Sequence, residues 1–103
     1  MNWRSLNSEG DLKKIVEDSY HAPQAIFKHS TRCGISAMVK YRLESKWEKV
    51  NPNIPIFLVD LIALRDLSNQ IAQALEVSHE SPQLIILQHG ESTYHASHTG
   101  ISS

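Results

Sequence analysis

The sequence has almost no cysteine and no segment that looks like a linker. Cys33 is the only cysteine among 103 residues, so no disulfide can form within one chain. A reducing compartment, the cytoplasm, is therefore the expected location. No repeat, low-complexity tract or linker interrupts the sequence, which predicts a single domain over residues 1–103.

Long apolar runs and concentrated basic charge are also missing. No run approaches the ~18 residues that suggest a transmembrane helix, and the N-terminal stretch "MNWRSLNSEGDLKK" lacks the basic and apolar regions of a signal peptide. Ten Lys and Arg against eleven Asp and Glu give a formal net charge of −1. These basic residues are scattered, whereas nucleic-acid binding usually requires a concentrated basic surface. We therefore expect neither a membrane nor a nucleic acid as a partner.

Apolar spacing predicts alternating strands and helices in the first half of the chain. Ser8 stands three residues before Asp11, as in a weak capping box, and apolar residues follow at helical spacing. A second helical stripe, after the cysteine, consists of Ile35, Met38, Val39, Leu43 and Trp47. The predicted elements are a short strand at Trp3–Leu6, a helix at Glu9–Ser19, a strand at Ala25–His29 and a helix from Cys33 to Val50.

The second half continues the alternation and closes with a hairpin. A turn, "NPNIP", precedes the apolar run "IFLVDL", which is typical of a strand buried on both faces. Asp66 or Ser68 is expected to cap a third helix that runs to about Val77. Ser81 and Pro82 then open the buried strand "QLIILQ", and the turn "HG" leads into an edge strand, "ESTYHAS". This order predicts an α/β domain with three layers.

The residues around the cysteine and around Pro82 resemble those of a known family. A strand ends, "HSTRC" follows, and Cys33 opens a long helix, which resembles the thioredoxin fold with Ser81-Pro82 at the place of the cis-proline. More narrowly, "FKHSTRCGIS", "HESPQLIIL" and "SHTGIS" are similar to the YtxJ-type monothiol bacilliredoxins, which are linked to the low-molecular-weight thiol bacillithiol. The resemblance implies a thioredoxin-like α/β/α domain with a central mixed sheet and a C-terminal β-hairpin.

Two departures from this family stand out. Its members commonly have Cys-Pro-Ile-Ser where this chain has "CGIS", and glycine in a first turn costs helix stability relative to proline. The last helix of the fold also looks missing, because only "ISS" follows Gly100. One sheet face would then stay partly open, so we expect self-association into a homo-oligomer or loops that fold over the gap.

The chemistry expected of Cys33 follows from its place before a helix. A thiolate attacks disulfides, and the helix N-terminus, including the backbone N–H at Gly34, favours the anion. Arg32 is expected to add positive charge, and Ser36 to donate a hydrogen bond to the sulfur. A serine cannot resolve a mixed disulfide, so the C-x-x-S spacing predicts a monothiol cycle in which another thiol releases the product.

The resemblance also implies a substrate site and a co-substrate. Thr31, Ser81 and a cis Pro82 would bind the substrate beside Cys33. The substrates would be S-thiolated proteins, from which Cys33 removes a low-molecular-weight thiol, bacillithiol by resemblance. No tightly bound cofactor is expected.

Alternatives to this interpretation stay open. The protein could be a glutathione-dependent glutaredoxin analogue, or a non-catalytic interaction or stress module in which Cys33 packs and the edge strand near Tyr94 binds a partner. Neither His29 with Cys33 nor His95 with His98 matches a metal-ligand signature, so no metal site is expected. His29 and His79 are predicted at strand or loop ends near the cysteine, where they tune it or are solvated.

Overall fold

Five strands and three helices make up the part of the chain that the computed structural model describes, residues 3–30, 34–50 and 53–97. Their order confirms the predicted alternation. The elements are β1 (Trp3–Ser5), α1 (Glu9–Asp18), β2 (Gln24–His29), α2 (Gly34–Val50), β3 (Ile56–Asp60), α3 (Arg65–Leu75), β4 (Gln83–Gln88) and β5 (Glu91–Ser97).

The strands form one mixed sheet in the order β1-β3-β2-β4-β5. β3 runs parallel to both β1 and β2, whereas β4 is antiparallel to β2 and to β5. The strand β2 is therefore central, and its residue Phe27 lies opposite Leu58 on one side and Leu84 on the other. This arrangement confirms the predicted α/β fold class with a mixed sheet and a C-terminal hairpin.

The two faces of the sheet carry separate apolar cores because successive strand residues point to opposite sides. One face packs against α1 and α3, with Ile26, Val59 and Ile85 from the sheet. The other packs against α2, with Ala25, Phe27 and Leu84 from the sheet. On the α2 face, five apolar residues that pack against the core are only partly buried: Trp3, Ile54, Leu58, Ile86 and Ala96.

The start of α1 has the predicted cap. Ser8 is the N-cap, and its Oγ accepts a hydrogen bond from the Asp11 backbone N–H at 3.1 Å. The Asp11 carboxylate in turn accepts from the Asn7 backbone N–H at 3.0 Å. Both backbone N–H groups, one before the helix and one in its first turn, thus have a hydrogen-bond acceptor. The helix begins at the predicted residue.

Ser19, the residue after α1, accepts two hydrogen bonds from the turn of the C-terminal hairpin. Its backbone carbonyl accepts from the His89 N–H at 2.8 Å, and its Oγ accepts from the Gly90 N–H, also at 2.8 Å. Gly90 has φ +76°, and a Cβ there would lie 2.7 Å from the Tyr20 hydroxyl oxygen. Only glycine fits this turn without strain.

The predicted apolar stripe of α2 is wrong at its N-terminal end. Ile35 and Met38 are 46% and 45% exposed, whereas Ser36 is fully buried. The buried stripe is therefore Ser36, Val39, Leu43 and Trp47. Spacing alone fits both sets, and the inward set contains a serine because its hydroxyl is hydrogen-bonded, as described below.

The predicted boundaries of α3 are also wrong. The helix begins at Arg65, and its N-cap, Leu64, makes no side-chain capping hydrogen bond. Neither Asp66 nor Ser68 caps it, because both lie inside the first turns and Ser68 is buried. The helix ends at Leu75, before Val77, because Glu76 adopts a left-handed conformation with φ 53°. Within the described ranges, no helix combines the length and apolar character that crossing a membrane requires.

Candidate functional site

The predicted nucleophile lies between two well-defined elements. β2 ends at His29 and α2 begins at Gly34, the residue directly after Cys33. Cys33, Arg32 and Thr31 lie outside the described residues, so the roles predicted for them stay predictions. The first turn of α2 contains no acidic residue that would neutralise the positive end of the helix dipole.

Gly34 itself is exposed and meets no steric demand for glycine. A Cβ built at this position has no heavy atom within 4 Å outside its own helix and chain neighbours. The space at the start of α2 therefore accepts a side chain. The predicted contribution of this residue to thiolate stabilisation concerns its backbone N–H, which a substitution by alanine leaves in place.

Ser36 ties the end of β2 to the start of α2. Its Oγ lies 2.7 Å from His29 Nδ1 and accepts a hydrogen bond from the Ser30 backbone N–H at 3.0 Å. A hydroxyl has one proton, and that proton either goes to His29 Nδ1 or is free for another acceptor. The predicted hydrogen bond from Ser36 to the sulfur involves a residue outside the described part, and it depends on the tautomer of His29.

The imidazole of His29 is buried in the core on the α2 side. It stacks on the Phe27 ring with a centroid separation of 5.9 Å. Burial lowers the pKa of His29, with a further lowering by the charge of Lys40, against smaller opposing effects of Asp60 and Glu44. The ring is therefore neutral at pH 7. His29 is not solvated, one of the two roles that the sequence left open.

A second polar network occupies the opposite face of the same strand, and the sequence analysis missed it. Lys28 is fully buried, and its Nζ lies 3.2 Å from Nδ1 of His79. Ser68 Oγ lies 3.1 Å from the same nitrogen. Because an ammonium group only donates, Nδ1 accepts and the His79 proton is on Nε2. The sequence does contain one indication of this network, which is a lysine within the predominantly apolar strand "QAIFKH".

Burial governs the protonation of this network. Desolvation lowers the pKa of Lys28 from 10.5 to about 8. The pKa of His79 is also lowered, first by burial and then by the charge of Lys28, against an opposing effect of Glu80. At pH 7 the lysine is therefore mostly charged and the imidazole neutral, the combination that the hydrogen bond between them requires.

The loop before β4 brings Ser81 to the same end of the sheet. The Ser81–Pro82 peptide bond is cis, and Pro82 is buried. Ser81 lines a cavity together with Ser30, which follows β2. The structure thus places Ser81 near Ser30, the residue that directly follows β2. The predicted contact of Ser81 with the sulfur involves a residue outside the described part.

Among the described residues, no group of three or more His, Cys, Asp or Glu side chains is arranged to hold a metal ion. Of the pairs considered from the sequence, Cys33 and His98 lie outside the described ranges. His95 is on the exposed edge strand β5.

Known structures share this architecture. A protein described as a candidate oxidoreductase with a thioredoxin fold is 26% identical and superposes with a TM-score of 0.85, covering 97% of this chain and 86% of that chain. Thioredoxin of Fasciola hepatica is 19% identical, with a TM-score of 0.69 and coverage of 92% and 86%. Oxidised thioredoxin of Plasmodium falciparum is 12% identical, with a TM-score of 0.73 and coverage of 94% and 86%. The last two show the fold alone.

The family assignment comes from the sequence. The family model of the monothiol bacilliredoxin BrxC matches residues 4–103, which include the cysteine, Ser36 and the cis Ser81–Pro82 pair. This match confirms the resemblance noted from the motifs, and the thioredoxin fold agrees with it. The chain belongs to the monothiol bacilliredoxin family.

Proposed function

We propose that the protein is a monothiol thiol–disulfide oxidoreductase that removes a low-molecular-weight thiol, bacillithiol, from S-thiolated proteins, with Cys33 as the nucleophile. Membership of the bacilliredoxin family, over a match that spans the "CGIS" motif, carries this proposal. The cytoplasm is the proposed location, because a lone reactive thiol suits a reducing compartment.

The proposed reaction has two steps. The Cys33 thiolate attacks the bacillithiol sulfur of the mixed disulfide; the original S–S bond breaks, and the substrate protein leaves as a thiolate that takes up a proton. A disulfide between Cys33 and bacillithiol remains. A second low-molecular-weight thiolate then attacks this disulfide, releasing the oxidised small thiol and regenerating the Cys33 thiolate.

Three features of the described residues support this cycle. α2 begins directly after the cysteine and has no acid in its first turn, which favours a thiolate. Ser36 stands where a dithiol enzyme has its second cysteine, and it is committed to His29 and Ser30. Ser81, whose peptide bond to Pro82 is cis, lines the same cavity as Ser30.

Intact-mass analysis after mixing the protein with oxidised bacillithiol and, separately, with oxidised glutathione tests the proposal. We expect one adduct per chain, faster with bacillithiol, and none in the Cys33→Ala variant. Preference for glutathione would favour a glutaredoxin analogue. No adduct with either disulfide at pH 8 would contradict the oxidoreductase and favour an interaction module.

A further inference from the structure

A cavity opens beside Ser30, the last described residue before Cys33 in the sequence. It has a volume of about 420 Å³ and lies between the residue after β2, the β3–α3 connection, the first turns of α3 and the loop before β4. Two residues of the sequence separate its nearest lining residue, Ser30, from Cys33. Leu61 and Ile62 form the apolar part of its lining, and the polar lining residues are Ser30, Arg65, Ser68, Asn69, His79 and Ser81.

The charged residue that lines this cavity is a cation, although Glu80 is near enough to His79 to oppose the lowering of its pKa. Arg65 lines the cavity, and none of its lining residues is acidic. Lys28 adds a second cation behind the wall, through its contact with His79. A neighbouring cavity at the start of α3 also includes Arg65, but there Glu9 and Asp66 are part of the lining. The lining of the cavity next to Ser30 is thus better suited to an anion than the lining of this neighbour.

A buried hydroxyl at this cavity lacks a hydrogen-bond partner, and the buried ammonium behind its wall lacks a counter-ion, among the described residues. Ser81 Oγ is buried and has no hydrogen-bond partner among the described residues. No carboxylate in the described part of the chain lies within ion-pair distance of Lys28, whose contact there is a neutral imidazole. A buried ammonium without a counter-ion is costly, and an unpaired buried hydroxyl adds to that cost. Both costs fall when an anion with acceptor oxygens enters.

We propose that this cavity binds a carboxylate group of the low-molecular-weight thiol that exchanges with Cys33. The proposal rests on the proposed function and names the residues that recognise the acidic part of its small-thiol co-substrate. Arg65 donates to the carboxylate in a bidentate geometry, a fork for which guanidinium groups are suited. Asn69, Ser81 and the Nε2–H of His79 are the neutral donors. Lys28 acts through the field of its buried charge.

A carboxylate fits better than a neutral hydroxyl compound of similar size. Its charge is stabilised by two nearby cations in a partly desolvated cleft, where electrostatic attraction is stronger than in bulk water. A substrate bound in this way has its thiol end free to extend past Ser30 towards the loop that contains the cysteine.

Binding of succinate, followed by the NMR signals of the His79 imidazole, tests the cavity without any thiol chemistry. We expect succinate to shift these signals saturably and succinamide, its uncharged analogue, to leave them unchanged. The Arg65→Gln variant should bind succinate about tenfold more weakly, as expected for the loss of one charge-assisted pair at an accessible site. Lys13→Gln, which removes an exposed cation on α1, is the matched control and should bind like the wild type.

Equal responses to succinate and succinamide, or unchanged succinate affinity in Arg65→Gln, would overturn the proposed carboxylate site. This result stands whether or not Cys33 is reactive. The outcome of the binding measurement is therefore separate from the outcome of the adduct experiment above.

A kinetic comparison tests the link to thiol exchange. Rates of adduct formation at Cys33 are measured with 3,3′-dithiodipropionate, which carries carboxylates, and with 2-hydroxyethyl disulfide, which is neutral. Arg65→Gln should slow the first reaction about tenfold and leave the second unchanged. Equal slowing of both, or of neither, would show that the cavity does not select the co-substrate. Absence of reaction with both disulfides would instead contradict the proposed function.

Discussion

Two consecutive residues of β2, which lie on opposite faces of the sheet, differ in their charge and in their hydrogen-bond partners. On the α2 face, His29 is neutral and shares a hydroxyl with the start of the helix. On the α1 and α3 face, Lys28 is charged at pH 7 and rests against an imidazole and no carboxylate among the described residues. The first network is satisfied internally and stabilises the junction. The second retains an unbalanced charge, which is a cost to folding that a bound anion relieves.

The largest change in stability is expected when Lys28 is replaced with methionine, because this substitution removes the buried charge on the α1 and α3 face. The unfolded chain holds the lysine proton up to pH 10.5, and the folded chain releases it near pH 8. The buried charge thus lowers stability fully below pH 8, by about 2–3 kcal/mol, and this penalty disappears as pH rises to 10.5. Lys28→Met should be more stable than the wild type at pH 7, with a gap that closes towards pH 10.5.

Urea unfolding at several pH values measures this gap. Lys46→Met, on the exposed surface of α2, is the control and should show no such dependence on pH. A Lys28→Met variant that is less stable than the wild type at pH 7 would show that the ammonium has a compensating partner, and the contrast between the faces would break down.

On the α2 face, the Ser36→Ala substitution should destabilise the protein, whereas Lys28→Met stabilises it. Removal of the hydroxyl leaves His29 Nδ1 and the Ser30 N–H unpaired in a buried setting, which costs about 1–3 kcal/mol. The pKa of the Cys33 thiol should rise modestly if the serine also donates to the sulfur. Denaturant unfolding and the pH dependence of alkylation measure the two effects.

Ser45→Ala is the matched control in the same helix. Ser45 is exposed, and among the described residues its hydroxyl donates to the Arg42 carbonyl, so its removal should change stability by less than about 0.5 kcal/mol. Equal losses in the two serine variants would mean that the junction with His29 contributes nothing specific.

Lowering the pH should destabilise the folded protein at pH values where His29 is still neutral in the folded state. The pKa of His29 is lowered in the folded protein, so below about pH 6.5 the unfolded chain binds a proton that the folded chain does not. Stability therefore falls as pH falls through this window. An NMR titration should place the His29 midpoint below that of an unfolded histidine, and His29→Gln should reduce the acid sensitivity. A midpoint above 6.5 would contradict the neutral network.

The smallest effect is expected at the residue that starts α2. Gly34→Ala meets open space and should raise stability by about 0.5–1 kcal/mol through reduced freedom of the unfolded chain. Gly90→Ala is the contrasting variant and should be destabilised, because φ is positive and Tyr20 occupies the space. Thermal unfolding distinguishes them, and a loss of stability in Gly34→Ala would reveal a conformational demand there.

The fold could be predicted because periodicity and turn residues report backbone structure directly. The site was only partly predictable. The apolar stripe of α2 was misplaced because Ile35 and Met38 count as apolar, whereas the inward Ser36 is buried through hydrogen bonds that the sequence does not display. Lys28 was overlooked for a similar reason. Its partner, His79, is 51 residues away along the chain, and its burial depends on how α3 covers the sheet.

The contacts of Ser19 with the hairpin turn link the local unfolding of the hairpin tip to that of α1. A hairpin tip normally frays independently, and its amides exchange with solvent through small local fluctuations. Here the amides of His89 and Gly90 are hydrogen-bonded to Ser19, the residue directly after α1, so the tip is released only when that helix end also moves. Hydrogen–deuterium exchange should therefore find these two amides slowed together with the last turn of α1, and a Ser19→Ala variant should accelerate Gly90 more than His89, whose bond is to the backbone. The first helix and the last strand pair would then open as one cooperative unit, although they lie at opposite ends of the described chain.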